Sequence, residues 1–194
     1  MLFKKDRNTE DHYLDKAIRG ERAGLEYLVD AYEEMAYTIA IRIVSNSEDA
    51  EEVVQDSFLK AFKYLDQFKR ASKFSTWLYR IIYTTALTKI GARKLITLEI
   101  DDDNDYIEYV SSNDGGLERL ADADRKRFLS MAMQRLKQED QLIISLHYIA
   151  DKSIAEITEI LDMKSSAIKM RLLRSREKLE RELKRLLNNE IYEL

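Results

Sequence analysis

Residues 153–176 read SIAEITEILDMKSSAIKMRLLRSR, two apolar-periodic stretches on either side of a turn. Ser153 with Glu156 three residues on is a capping box, which satisfies the orphan amides at a helix start. The spacing predicts a helix over 153–161 whose buried stripe is Ala155, Ile157, Ile160 and Leu161. The turn falls at Asp162 to Lys164, and either Ser165 or Ser166 can cap the next helix. In that second helix Ile168, Leu172, Ser175 and Leu179 recur at helical spacing and face inward. Lys169, Met170, Arg171, Arg174 and Arg176 lie on or beside the opposite face. A helix-turn-helix of this form lays its second helix in the DNA major groove. The segment is a candidate DNA reader.

The rest of the chain is built for helices. Among 194 residues there is no proline and there are five glycines, so long helices are scarcely interrupted. There is no cysteine, which excludes disulfides, thiolate nucleophiles and cysteine-based metal sites. The amino terminus, MLFKKDRNTEDHY, turns charged after three residues and holds no secretory apolar segment. No apolar run approaches the ~18 residues that a membrane span needs. These features predict a soluble, cytoplasmic protein with no membrane insertion of its own.

A net charge of −4 conceals a strong alternation. Residues 1–59 carry −7, residues 60–94 carry +8, residues 95–118 carry −8 and residues 119–194 carry +3. Within the last block, 164–185 holds nine basic and three acidic side chains. Local charge sets the field that a polyanion meets, so the two basic blocks are where nucleic acid would bind.

Apolar spacing predicts helices over 9–19, 21–45, a third capped by Ser47, and 74–93, then 118–136, 139–150, 153–161 and 165–188. The third has a stripe of Val53, Val54, Phe58, Ala61, Phe62 and Leu65. Between the halves, LITLEIDDDNDYIEYVSSNDGGLE at 95–118 breaks the pattern with a carboxylate cluster and Gly115–Gly116. A short strand at 95–100 or 106–110 is possible there. The expected architecture is all-α: one helical domain over 1–94, an acidic and flexible linker over 95–117, and a helix-turn-helix domain over 118–194.

Residues 47–82, SEDAEEVVQDSFLKAFKYLDQFKRASKFSTWLYRII, resemble region 2 of the extracytoplasmic-function sigma factors. The carboxy-terminal half resembles their region 4, and together the two blocks cover residues 10–94 and 118–183. The resemblance implies a bacterial transcription initiation factor that binds core RNA polymerase, recognises two promoter elements and helps to melt promoter DNA. It also implies an anti-sigma factor as a partner.

Each block has chemistry suited to that role. Asp49, Glu52, Gln55 and Asp56 form an acidic, hydrogen-bonding surface backed by the Val/Phe stripe, and by resemblance it docks on polymerase. The +8 block combines cations with aromatics, among them Phe74, Trp77, Tyr79 and Tyr83. Cations neutralise phosphates and aromatic faces stack on unpaired bases. Phe74 is expected in the core, Trp77 fits either role, and Arg80 and Tyr83 share the exposed face. The DNA-facing set here is Lys69, Arg70, Lys73, Trp77, Arg80, Tyr83, Lys89 and Arg93, with the loop Lys69–Lys73 resembling a pocket for a flipped base. In the second domain it is Ser166, Lys169, Met170, Arg171, Arg174 and Arg176.

The chain departs from the family pattern at several places. Thr84 and Thr88 stand where Asn, Asp or Arg is common, Lys137 where Pro is usual, Thr158 for a small Ala and Asp162 for the turn Gly. Aspartate tolerates the left-handed conformation better than most residues, so the turn is expected to survive.

An enzyme is the first alternative, and little supports it. His12 and His147 are the two histidines, far apart and within helical stretches, and there is no phosphate loop or nucleophile motif. The carboxylates at 101–105 lack the glycine and terminal glutamate of a calcium loop. We expect no cofactor and no metal. A regulator that binds duplex DNA without polymerase is the second alternative; it leaves the aromatic-basic helix and the DAEEVVQDSF block idle. A structural adaptor leaves both basic blocks unexplained.

Overall fold

The computed structural model describes residues 7–96 and 117–191, with side chains over 8–91 and 125–187. The linker lies almost wholly outside the described residues. With it lie the strand alternative at 106–110, the aspartates at 101–105 and the glycine pair; the alternative at 95–100 starts within the described residues, where Leu95 and Ile96 are helical.

Every regular element among the described residues is helical. The helices are α1 (Arg7–Ile18), α2 (Arg22–Val44), α3 (Ser47–Lys63), α4 (Phe74–Ile96), α5 (Leu117–Gln134), α6 (Gln138–Ile144), α7 (Ile154–Leu161) and α8 (Ser165–Ile191). They fall into two compact units, α1–α4 in one and most of α5–α8 in the other. All-α with two helical parts is therefore the observed class.

In the first unit α2 is the hub, packing on α1, α3 and α4, while α3 also packs on α4. Of its apolar repeat, Leu28, Tyr32, Ala36, Ile39 and Ile43 are buried, while Leu25, Val29 and Met35 are half-buried. Val53, Val54, Phe58, Ala61 and Leu65 close in from α3 and the short turn after it. Phe74, Leu78 and Ile82 do so from α4. α1 comes unusually near to α2 because Gly24 has no side chain: a Cβ there would lie 2.3 Å from the Ala17 amide nitrogen and 2.7 Å from the Tyr13 carbonyl. Tyr13 and Tyr27 stack beside this crossing with ring centroids 4.2 Å apart.

The cap of α3 is Asn46 rather than Ser47. Asn46 is extended, and its side chain accepts from the Asp49 amide at 2.9 Å, so Ser47 is the first helical residue. Glu48 and Asp49 occupy the first turn, where the helix dipole favours carboxylates.

The second unit is organised by α8, which packs on α5 and α6. Lys137, in the place of the usual proline, has φ −65 and ψ 147 and precedes α6, so the backbone keeps the dihedrals of a proline without the ring. The helix expected over 139–150 divides: after Ile144 it widens into a π turn over Ser145–Ile149. Such a turn shifts the register of the helix faces beyond it, leaving Leu146 buried and Tyr148 and Ile149 exposed.

α7 begins with the predicted capping box: Ser153 Oγ accepts from the Glu156 amide at 3.2 Å, and Glu156 Oε2 accepts from the Ser153 amide at 2.9 Å. Ile157, Ile160 and Leu161 are buried, but Ala155 is exposed. Its position, two residues before Ile157, turns it to the far side of an eight-residue helix. Asp162 adopts the left-handed conformation, φ 53, that the turn requires. The Lys164 carbonyl accepts from the Ile168 amide, which makes Lys164 the cap position of α8. Ser165 and Ser166 are then its first two helical residues, not its cap. Ile168, Leu172 and Ser175 are buried as predicted, and Leu179 is half-buried.

Candidate functional site

On α3 the apolar stripe faces the core, and Glu51, Glu52, Gln55 and Asp56 stand exposed on the other side. Asp49 is half-buried. Leu59 shares this face, one turn beyond Gln55 and Asp56, and is 68% exposed. The sequence pattern hides it, because it sits between a core Phe and a Lys and looks like part of the stripe. Only its register, one residue out of step with Phe58 and Phe62, marks it as outward.

Lys89 of α4 reaches back to this surface. Its Nζ lies 2.5 Å from Glu52 Oε2 and 3.4 Å from Asp49 Oδ1. The hydrogen bond to Glu52, with Asp49 behind it, raises the Lys89 pKa above 10.5. Lys60 Nζ donates to Thr85 Oγ1 at 3.2 Å close by. Glu52, Asp56, Lys60, Thr88 and Lys89 line a cleft of 180 Å³ between the two helices. A residue assigned to DNA and two assigned to polymerase thus meet in one ion-pair cluster.

The aromatics of the basic block divide by burial. Phe74 enters the core, as expected, and so does Tyr79, which is 4% exposed and faces Tyr32 edge-on at 6.2 Å. Tyr79 therefore cannot stack on a base. Burial raises its pKa, as does nearby Glu10, and Tyr32, which also hydrogen-bonds Glu10, shifts the same way. Both phenols stay neutral core groups.

Trp77 is half-buried, resting on Phe68 with centroids 5.2 Å apart and on Phe74 at 5.8 Å. Tyr83 is half-buried and Arg80 is exposed. The Thr84 hydroxyl donates to the Arg80 and Ile81 carbonyls, each at 3.0 Å, and Thr88 donates to the Thr84 carbonyl at 2.9 Å. Where the family has charged or amide groups, this chain presents methyls and hydroxyls already tied to the backbone.

In the loop before α4, Lys69 and Lys73 are exposed. Arg70 takes the left-handed conformation, φ 55, and reaches α1, pairing with Asp15 and lying 3.9 Å from Asp11. Its charge is thus partly spent on α1. The side chain of Arg93 lies outside the described ones.

On α8, Ser166, Lys169, Met170, Arg174 and Arg176 are all exposed. Leu173, absent from the set expected on sequence, is 51% exposed on the same helix. Arg171 is half-buried and ion-paired to Glu139, with Asp140 Oδ1 at 3.4 Å, both in the first turn of α6. It braces the domain from the flank of the helix. The preceding turn is pinned by Lys152, only 4% exposed, whose Nζ lies 3.7 Å from Glu156 Oε1. Its carbonyl is 2.9 Å from His147 Nδ1. A carbonyl only accepts, so that ring nitrogen donates and His147 acts as a half-buried structural residue.

No group of His, Cys, Asp or Glu among the described residues could hold a metal ion, and none of the described helices is long and apolar enough to cross a membrane.

Residues 28–95 match the sigma-70 region 2 family and residues 129–179 match sigma-70 region 4. The chain is similar to the ECF RNA polymerase sigma factor SigW of Bacillus subtilis, 27% identical over 174 residues, 87% of this chain and 93% of the relative. It is equally similar to the ECF RNA polymerase sigma-E factor of Haemophilus influenzae, 27% over 185 residues, 92% and 97% of the two chains. Its fold is like that of CnrH, solved in complex with the cytosolic domain of CnrY, with a TM-score of 0.60, 22% identity and coverage of 90% and 97%. It is also like that of the sigma factor RpoE from Bartonella quintana, solved with the anti-sigma factor NepR, with a TM-score of 0.61, 21% identity and coverage of 82% and 96%.

Proposed function

We propose a division of labour within this chain, which belongs to the extracytoplasmic-function family of RNA polymerase sigma factors and carries sigma-70 regions 2 and 4. Like its family, it directs RNA polymerase to promoters for transcription initiation and is not an enzyme. In our reading the exposed face of α3, with Glu52, Gln55 and Asp56, docks on core polymerase. The exposed Arg80, with Trp77, Tyr83 and the loop Lys69–Lys73, holds the separated strand of the downstream promoter element. The exposed face of α8 reads the upstream element as duplex. Residues 1–94 and 118–194 are the two working parts, and 95–117 is the acidic connection between them.

The observation that carries this reading is a shared register: on each of α3, α4 and α8 the polar set stands clear of a buried apolar stripe. A cation and half-exposed aromatics on one helix suit unpaired bases, which offer both a phosphate and a bare π-face. CnrH and RpoE were each solved with a bound partner, NepR being an anti-sigma factor, and we extend to this chain a partner of that kind. Work on polymerase and promoter places the protein in the cytoplasm.

Reconstitution with bacterial core polymerase separates the three assignments. Charge reversal on α3 is expected to block holoenzyme assembly, truncation on α4 to spare assembly but block opening, and truncation of Arg174 to spare both while lowering promoter choice. If all three variants fail at one common step, the division of labour is wrong. Binding to duplex promoter DNA that is independent of polymerase would favour the plain regulator instead.

A further inference from the structure

We infer that Met170 and Leu173 read thymine methyl groups, so that the upstream element of this factor's promoters is set by apolar contact as much as by hydrogen bonding. The inference rests on the proposed role of α8 as the upstream reader. At 3.6 residues per turn, Ser166, Met170, Leu173 and Arg174 fall within about 100° of arc, centred opposite the buried Ile168, Leu172 and Ser175. This sector would point straight at base edges when the helix lies in the major groove. Two of its four members are apolar and open to solvent, Met170 at 48% and Leu173 at 51%.

The cations sit elsewhere. Lys169 and Arg176 share one flank, where side chains reach phosphates, and Arg171 on the other is held by Glu139 and Asp140 of α6. Between Ser166 and Glu177, Arg174 is left as the cation of the central sector. Glu177, one turn further on and exposed, places a negative charge where the groove would otherwise be tracked further.

The thymine C5 methyl is the apolar group that base edges offer in the major groove, and it is what an exposed aliphatic side chain there can match. Met170 and Leu173 are three residues apart, about 4.5 Å along the helix axis. Base pairs rise by ~3.4 Å, so the two side chains address neighbouring pairs or the next but one. The expected element has two closely spaced thymines, on either strand, and a guanine within reach of Arg174.

The test uses holoenzyme assembled from the full chain and core polymerase. Promoter duplexes randomised over the upstream element are selected for binding, and the winner is resynthesised with uracil replacing one thymine at a time. Uracil lacks only the methyl, so hydrogen bonding is unchanged. At one or two positions the substitution is expected to weaken binding about threefold to fivefold, the scale of one buried carbon. Met170→Ala and Leu173→Ala are expected to weaken the thymine duplex by a similar factor, and each to abolish the uracil penalty at its own position. Both residues are exposed, so neither change threatens the fold.

A preferred sequence whose uracil forms bind as tightly as the thymine form overturns this inference alone. So do uracil penalties that survive in both variants, or variants that impair holoenzyme assembly, which would make the pair a protein contact. A library that yields no preferred upstream sequence overturns the upstream-reader assignment and this inference with it.

Discussion

Lys89 Nζ sits 2.5 Å from Glu52 Oε2, closing a link between α4 and α3 across 37 positions of chain. Docking at Glu52 and phosphate binding at Lys89 would draw on the same pair, so each partner would free a group for the other. Exposed pairs of this kind contribute little by themselves.

The pair raises the Lys89 pKa, so its stabilising effect is fully present below the unfolded-chain value near 10.5 and is lost as pH climbs through the raised one. Lys89→Met is expected to lower the urea midpoint slightly at neutral pH. The gap to wild type should shrink above pH 10.5. It should also shrink in 1 M salt, where screening acts within ~3 Å. A gap that stays constant across pH and salt would assign the effect to packing of the lysine stem.

Docking through α3 is expected to depend on both charge and the apolar Leu59. Asp56→Lys should weaken core polymerase binding, and adding Leu59→Ala should weaken it further. Exposed substitutions of this kind usually move stability by no more than ~0.5 kcal/mol. Wild-type affinity of the folded double variant, measured by competition for core polymerase, would remove the face from consideration.

Strand capture separates a sigma factor from an ordinary duplex binder. Arg80→Ala and Tyr83→Ala are expected to leave holoenzyme and closed complexes intact but to reduce open complexes, read by permanganate reactivity of promoter thymines. A premelted bubble should restore much of the loss, since base stacking at ~1–3 kcal/mol per base no longer has to offset the opening. Full opening by both variants on intact duplex would return Tyr83 to a purely structural role.

Gly24 offers a test of the fold alone. A methyl group there meets backbone atoms of Ala17 and Tyr13, not flexible side chains. Gly24→Ala should therefore push α1 away and destabilise the first domain by about 1–3 kcal/mol, the usual range for overpacking. Loss of the near-ultraviolet signal from the Tyr13–Tyr27 stack should accompany it. A thermal midpoint equal to wild type would mean that α1 can shift without consequence.

Most helix positions were legible because apolar spacing is a local signal: the stripes of α2, α3 and α8 fall where periodicity puts them. The turn at Asp162 was legible for a similar reason, since one residue's tolerance of positive φ decides it. Caps were less so, because Asn46 and Ser47 are both good capping residues and only the dihedral of Asn46 distinguishes them. Ala155 is exposed although the pattern groups it with the buried stripe, since alanine carries little hydrophobic signal in either direction.

The engagement of the candidate side chains was not legible at all. Arg171 and Glu139 are 32 positions apart, and Arg70 and Asp15 are 55 apart. Nothing in a one-dimensional pattern says that a basic residue on a basic face already has a carboxylate. Tyr79 shows the same limit: aromatic residues at helical spacing serve a core or a base equally well until burial decides. Gly24 could have been found, because a glycine inside a long apolar helix repeat usually marks a close backbone approach.

Lys137 carries the dihedrals of a residue that it is not. Because φ −65 is already in place, Lys137→Pro would leave the folded chain as it is and restrict only the unfolded one, a gain of about 0.4–1 kcal/mol where the geometry is compatible. The consequence is a separation of traits. The thermal robustness of this domain can drift, or be engineered, at the backbone of Lys137, apart from the α8 side chains to which we assign the upstream element.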